Sequence, residues 1–134
     1  MSAQTKIALV TGGSRGLGKD MAISIARKGI DVILTYRTNE KEANEVVQEI
    51  EGMNRKTAAL QLDMAKFDSL DDFMQRFLQT LQAKFNSNTF DFIINNAGIG
   101  ATVPFTEVTE TLFDEFLNVH FKSVYFLRRN LFRT

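Results

Sequence analysis

The chain has no cysteine, no tryptophan, one proline, and no excess of either charge. Without cysteine there is no disulfide, no thiolate nucleophile and no cysteine-ligated metal. Its 16 Lys and Arg side chains balance 16 Asp and Glu. That balance removes any global field that would draw nucleic acid or an anionic membrane surface. No run approaches the roughly 18 apolar residues of a membrane span. The apolar stretch after Lys6 is broken by glycines too early for a secretory h-region. These absences predict a soluble, cytoplasmic chain. Its 134 residues suffice for one domain with a buried core.

What is present alternates between two periods. Ile7-Ala8-Leu9-Val10 is a short apolar run that ends in glycines and reads as a buried strand. A helix from Gly16 to Lys28 follows, with Leu17, Met21 and Ile25 on one stripe and Gly29 as its stop. Val32 to Tyr36 is a second strand. Asn39 and Glu42 form a capping box that opens a helix with Ala43, Val46, Val47 and Ile50 inward. Thr57 to Leu62 is a third strand, and Ser69 with Asp72 starts a helix whose Leu70, Phe73, Phe77, Leu81 and Phe85 recur at helical spacing. Phe90 to Asn95 is a fourth strand. A loop through Pro104 then leads to helical sequence from about Thr109. Strands alternating with long helices predict one α/β unit, a parallel sheet covered on both faces.

The strongest chemical signal lies between the first strand and the first helix, in Thr11-Gly12-Gly13-Ser14-Arg15-Gly16-Leu17-Gly18. Glycines at 12, 16 and 18 permit a tight turn and remove Cβ atoms where a pyrophosphate must approach. The helix N-terminus then offers N–H groups and a positive dipole end to that anion. A glycine-rich turn alone is an ordinary strand-to-helix connection. The strand before it and the helix after it point to a nucleotide site.

This turn, Asp63 after the third strand, and Asn95-Asn96-Ala97-Gly98 after the fourth resemble the motifs of the short-chain dehydrogenase/reductase family. They stand in the family's order, and the resemblance runs from about Lys6 to Leu127. It implies a Rossmann-type, doubly wound parallel sheet, here incomplete with about four strands, that binds NAD(H) or NADP(H) in an extended groove. Gly12, Ser14, Arg15, Gly16, Leu17 and Gly18 would form the phosphate turn. Asp63 would accept a hydrogen bond from the adenine amino group, with the Met64 backbone beside it. Asn95, Asn96, Ala97 and Gly98 would line the cofactor ribose and brace the central strands. The plain alternatives are a solvated turn or cap for Asp63 and turn chemistry for the two asparagines.

Charge selects between the two cofactors. An acid at the end of the second strand would hold a ribose 2′-hydroxyl and repel a 2′-phosphate. Here Tyr36-Arg37 stand at that place, with Lys41 nearby and Arg15 in the glycine turn. A guanidinium holds phosphate through paired hydrogen bonds and stacks on adenine. NADP(H) is therefore favoured over NAD(H), the alternative being that both arginines are ordinary surface charges.

At the reactive end the family uses a Ser and a Tyr-x-x-x-Lys pair for proton transfer. Tyr36 is followed four places on by Glu40, and Tyr125 by Arg129, so neither makes that pair. Both also precede the strand that would carry the Ser. Alignment of the helix after the Asn-Asn-Ala-Gly loop puts His120 where the family usually has Asn holding a relay water. Imidazole can both donate and accept, while a polar helix residue without catalytic duty is the plain alternative. Asn118, two residues earlier, would face elsewhere at about 100° per residue.

Two functions follow. One is a short-chain oxidoreductase of which this chain carries the cofactor half and is inactive alone. It would meet a small carbonyl or alcohol substrate only in an intact form. The other is a stand-alone nucleotide-binding or regulatory module pairing with an intact homologue. The family is usually homo-oligomeric, and the fourth strand at an open sheet edge, with Phe113, Phe116, Phe121 and Phe126 on the last helix, predicts association or aggregation. Residues 128–134 read as a non-native tail. The family phrase here resembles Leu-Thr-Gln-Lys-Leu-Ile-Pro, and deleting one base from a possible coding of Leu-Thr-Gln-Lys-Leu-Ile-Pro-Tyr with the base that follows it yields Leu-Arg-Arg-Asn-Leu-Phe-Arg-Thr, which is residues 127–134. The expectation is a shifted reading frame from Arg128.

Overall fold

The computed structural model describes residues 5–98 and 103–132. Four strands, β1 (Ile7–Val10), β2 (Asp31–Tyr36), β3 (Thr57–Gln61) and β4 (Phe92–Ile94), form one sheet in the order β3-β2-β1-β4. Every pairing is parallel. Parallel neighbours cannot be joined by tight turns, so each connection crosses over through a helix. These are α1 (Gly16–Arg27), α2 (Glu40–Glu51) and α3 (Leu70–Phe85). After β4 come α4 (Glu110–Leu117), a π-helical turn (Asn118–Lys122) and α5 (Ser123–Phe132).

Successive side chains of a strand point to opposite faces, which divides the core into two layers. Ile7, Leu9 and Ile33 pack with α3 and α5. Val10, Val32 and Leu34 pack with α1 and α2. The α3 side is aromatic. Phe73 and Phe77 are fully buried and stack at 6.0 Å, and Phe77 meets Phe90 edge-on at 5.4 Å. Each such phenylalanine contributes about 1.5–3 kcal/mol by burial. The expected inward residues of α2 and α3 are found inward, and Asn39 caps α2 as expected. The Glu42 amide donates to Asn39 Oδ1 at 3.1 Å, and Asn39 Nδ2 returns a bond to the Glu42 carboxylate at 2.8 Å.

One local expectation differs from the structure. The buried face of α1 is Gly18, Ala22, Ile23 and Ala26, not the Leu17–Met21–Ile25 stripe. Leu17 is 70% exposed. The helix lies so close to the glycine turn that small side chains win the inward face, and bulk is displaced to the flank. Ser69 stands at the N-cap of α3 as expected, without a side-chain cap bond. It ends a 3-10 turn (Phe67–Ser69), and its hydroxyl donates back to Lys66 O at 2.7 Å. The expected tail begins at Arg128-Arg129-Asn130. α5 runs through these residues, with Leu127 and Leu131 buried one turn apart against the α3 layer. Residues 133–134 of the expected tail lie outside the described residues.

The winding reverses at β1. The chain steps from β1 to β2 to β3, then returns to add β4 on the other side of β1. In open α/β sheets, ligands settle in the crevice at this reversal, beyond the carboxyl ends of the strands. The register brings those ends level, with Val10 opposite both Leu34 and Ile94.

Candidate functional site: a groove at the reversal point

The groove beyond the strand ends encloses about 480 Å³, and its floor is fixed by three short polar side chains. Thr11 is fully buried. Its Oγ1 accepts from the Asn96 and Ala97 amides at 3.0 and 3.1 Å and donates to Ile94 O at 3.3 Å. Thr35 Oγ1 accepts from the Gly12 amide at 3.0 Å, while the Gly13 amide donates to Thr35 O at 3.0 Å. Asn96 Nδ2 donates to Gly12 O at 3.1 Å. The glycine turn is thus tied to the ends of both β2 and β4.

Glycine is required here for two separate reasons. Gly12 and Gly16 have φ of +65° and +57°, where a Cβ is strained. Gly18 lies against the turn itself, and a Cβ there would run into Gly12 O and Asn96 Nδ2. At the head of α1, Arg15 is the N-cap and supplies no side-chain cap, and no acid stands in the first turn. A helix start with no side-chain cap, at the rim of a groove and behind a glycine turn, is built to receive an anion.

The far wall holds charge. Asp63 Oδ1 accepts from the Ala65 amide at 2.9 Å, which sets the turn after β3. It also meets Arg37 Nε at 3.4 Å. The same guanidinium reaches Glu115 Oε1 of α4 at 3.7 Å. Met64 is buried, and its carbonyl accepts from the hydroxyl of fully buried Ser123, which pins this loop to α5. Tyr36 sits beside the groove rather than in it, packed on the α1–α2 layer. Partial burial pushes its phenol above the usual tyrosine value, the Glu40 carboxylate adds to this, and Arg76 opposes it.

Of the expected residues, Gly12, Ser14, Arg15, Gly16, Arg37, Asp63, Met64, Ala97 and Gly98 line the groove. Gly18 supports it from below. Leu17 and Asn95 are exposed outside the lining. Asn96, within the expected Asn95 to Gly98 loop, also lines it, and Thr35, Leu62 and Val119 do so without having been singled out. A threonine in an otherwise apolar strand was the available signal for Thr35. Asn96 was legible as a motif residue, but its bond to Gly12 O depends on β4 lying beside β1.

His120 lies on the π-helical turn, exposed at the surface. Its ring lies against Gly98, where a Cβ would come within 2.8 Å of Cε1, and packs on Phe116 at 5.5 Å between centroids. The wide turn, with its i→i+5 bonds, is a feature frequent at functional sites. Among the described residues no three His, Cys, Asp or Glu cluster as metal ligands, and no helix is long and apolar enough to cross a membrane.

The sequence profile of the short chain dehydrogenases matches residues 6–134. This chain belongs to that family. The match continues past Leu127, where the resemblance of motifs had ended. A hydroxynaphthalene reductase-like protein of Metarhizium guizhouense is 32% identical over 127 residues, 95% of this chain and 45% of its own length. A tetrahydroxynaphthalene reductase of Pestalotiopsis fici is 32% identical over 93% of this chain and 43% of its own length. Among solved structures, a short-chain dehydrogenase from Burkholderia cenocepacia in complex with NADP superposes with a TM-score of 0.86 at 33% identity. That match covers 97% of this chain and 51% of the other. The chain spans about half the length of the relatives it matches.

Proposed function

We propose that this chain is the cofactor-binding half of an NADP(H)-dependent short-chain oxidoreductase, which reduces a carbonyl or oxidises an alcohol. The observation that carries this reading is the turn packed under α1. Gly18 lies where any Cβ would strike Gly12 O, and the uncapped helix start opens on the groove. A dinucleotide pyrophosphate fits that cradle by shape and by sign. Arg37 and Arg15, both in the lining, would hold a 2′-phosphate. Asp63 and the Met64 backbone would receive adenine, and Ala97 and Gly98 the ribose. When bound, the cofactor supplies the hydride. The protein's own part at this end is to position the dinucleotide, with the His120 ring beside Gly98.

Proton transfer to or from a substrate oxygen needs a placed acid or base. The chain contains no Tyr-x-x-x-Lys, so it has no reductase activity alone. The reductase names of the relatives support the carbonyl-reducing direction. Titration with NADP and NAD tests the assignment. Preference for NADP, lost in Arg37→Asp, is expected, and equal affinity in both proteins would refute the cofactor choice.

A second reading, a nucleotide-binding module that pairs with an intact homologue, draws on the exposed Phe113, Phe121 and Tyr125. Co-purification with a tagged full-length homologue, set against self-association of this chain, separates the two.

A further inference from the structure

We infer that Glu115 is a specificity-determining residue that works against a 2′-phosphate, by competing for the guanidinium that would hold it. The inference rests on the cofactor reading above. From the sequence, no acid stands at the end of β2, and Arg37 looks uncontested. In the fold it is not. Asp63 reaches Arg37 from the loop after β3 at 3.4 Å, and Glu115 reaches it from α4 at 3.7 Å. Around the groove, two guanidinium groups (Arg15 and Arg37) therefore face two carboxylates (Asp63 and Glu115), and the formal sum is zero.

The two acids have different standing. Asp63 lines the groove, fixes its own turn through the Ala65 amide, and has a side chain only 13% exposed. Glu115 lies outside the lining, on a helix with no fully buried residue. It therefore touches the ligand's prospects only through Arg37. An incoming phosphate must displace this carboxylate or share the guanidinium with it, and it meets like-charge repulsion while doing so. A ligand ending in a ribose 2′-hydroxyl meets neither cost. The side chains of Arg37 and Glu115 are 48% and 37% exposed, so water screens the contact. The effect on binding is then up to about fivefold, the upper range for exposed ion pairs.

The test compares adenosine 2′,5′-bisphosphate with 5′-AMP by calorimetric titration of the full chain. The proteins are wild type, Glu115→Gln, Arg37→Gln and the double variant. Glu115→Gln keeps shape and helix propensity and removes only charge. The expected result is up to about fivefold tighter binding of the bisphosphate to Glu115→Gln, with 5′-AMP unchanged, shrinking at high salt. The gain should vanish in the Arg37→Gln background. No change in Glu115→Gln, a gain for both ligands alike, or weaker bisphosphate binding would overturn the inference. The last of these would make Glu115 a support for Arg37 instead. Wild type binding both ligands equally, with Glu115→Gln preferring the bisphosphate, would support the competition while removing the native NADP preference. That outcome separates the two claims.

Discussion

On the β1 side of the groove, Thr11, Thr35 and Asn96 tie the glycine turn to two neighbouring strands through short side chains. On the α4 side, the corresponding wall is a half-exposed guanidinium between two carboxylates, next to a helix with no fully buried residue. The first wall is built from groups with few rotamers and fixed backbone partners, so its shape does not wait for a ligand. The second is built from long charged side chains in contact with water, where pairings are weak and exchangeable. Shape is set at one end of the groove, and the proposed choice between ligands falls to the other.

The contrast breaks most visibly if the rigid wall tolerates bulk. Gly18→Ala is expected to lose dinucleotide binding and to cost about 3 kcal/mol of stability through overpacking, read by nucleotide titration and by thermal unfolding. Retained binding at unchanged stability would show the turn to be adjustable. A smaller cut at the same wall is Asn96→Ala, which leaves Gly12 O without its partner. It should cost about 1–3 kcal/mol, seen in urea unfolding, and weaken cofactor binding as well.

At the α4–α5 side the expected stability effects are slight. Phe121 is 67% exposed, so Phe121→Ser should shift stability by no more than about 0.5 kcal/mol. It should reduce self-association measured by analytical ultracentrifugation. A large loss of stability instead would mean that this aromatic face packs within the chain.

The smallest effect concerns Tyr36. Its folded phenol titrates above the usual value, so the folded state prefers the protonated form. Its contribution is complete below the ordinary tyrosine pKa and is lost as pH rises from there through the raised folded value. Tyr36→Phe should therefore flatten the alkaline limb of the stability profile without altering the neutral region. An unchanged limb would sink this.

Much of the fold was legible because strands and helices impose different periods. The inward faces of α2 and α3 follow from Ala43, Val46 and Ile50, and from Leu70, Phe73, Phe77 and Leu81. α1 misled because amphipathic periodicity weighs bulk, and the pressure on this helix is for smallness. Its inward stripe of Gly18, Ala22 and Ala26 carries almost no hydrophobic signal. Arg128 and Arg129 show the converse, exposed polar residues on a helix whose Leu127 and Leu131 lie on the buried side.

By itself, the sequence determined the alternation of strand and helix, the glycine turn and the family, because these rest on spacing along the chain. Glycines at fixed intervals after an apolar strand carry their meaning locally. Only the tertiary structure decided what each polar side chain is paired with. Thr35 under Gly12, Ser123 on the Met64 carbonyl, and Glu115 against Arg37 are separated by 23, 59 and 78 positions. Parallel crossovers and a helix returning over the sheet bring such distant residues into contact, and no local period records the meeting.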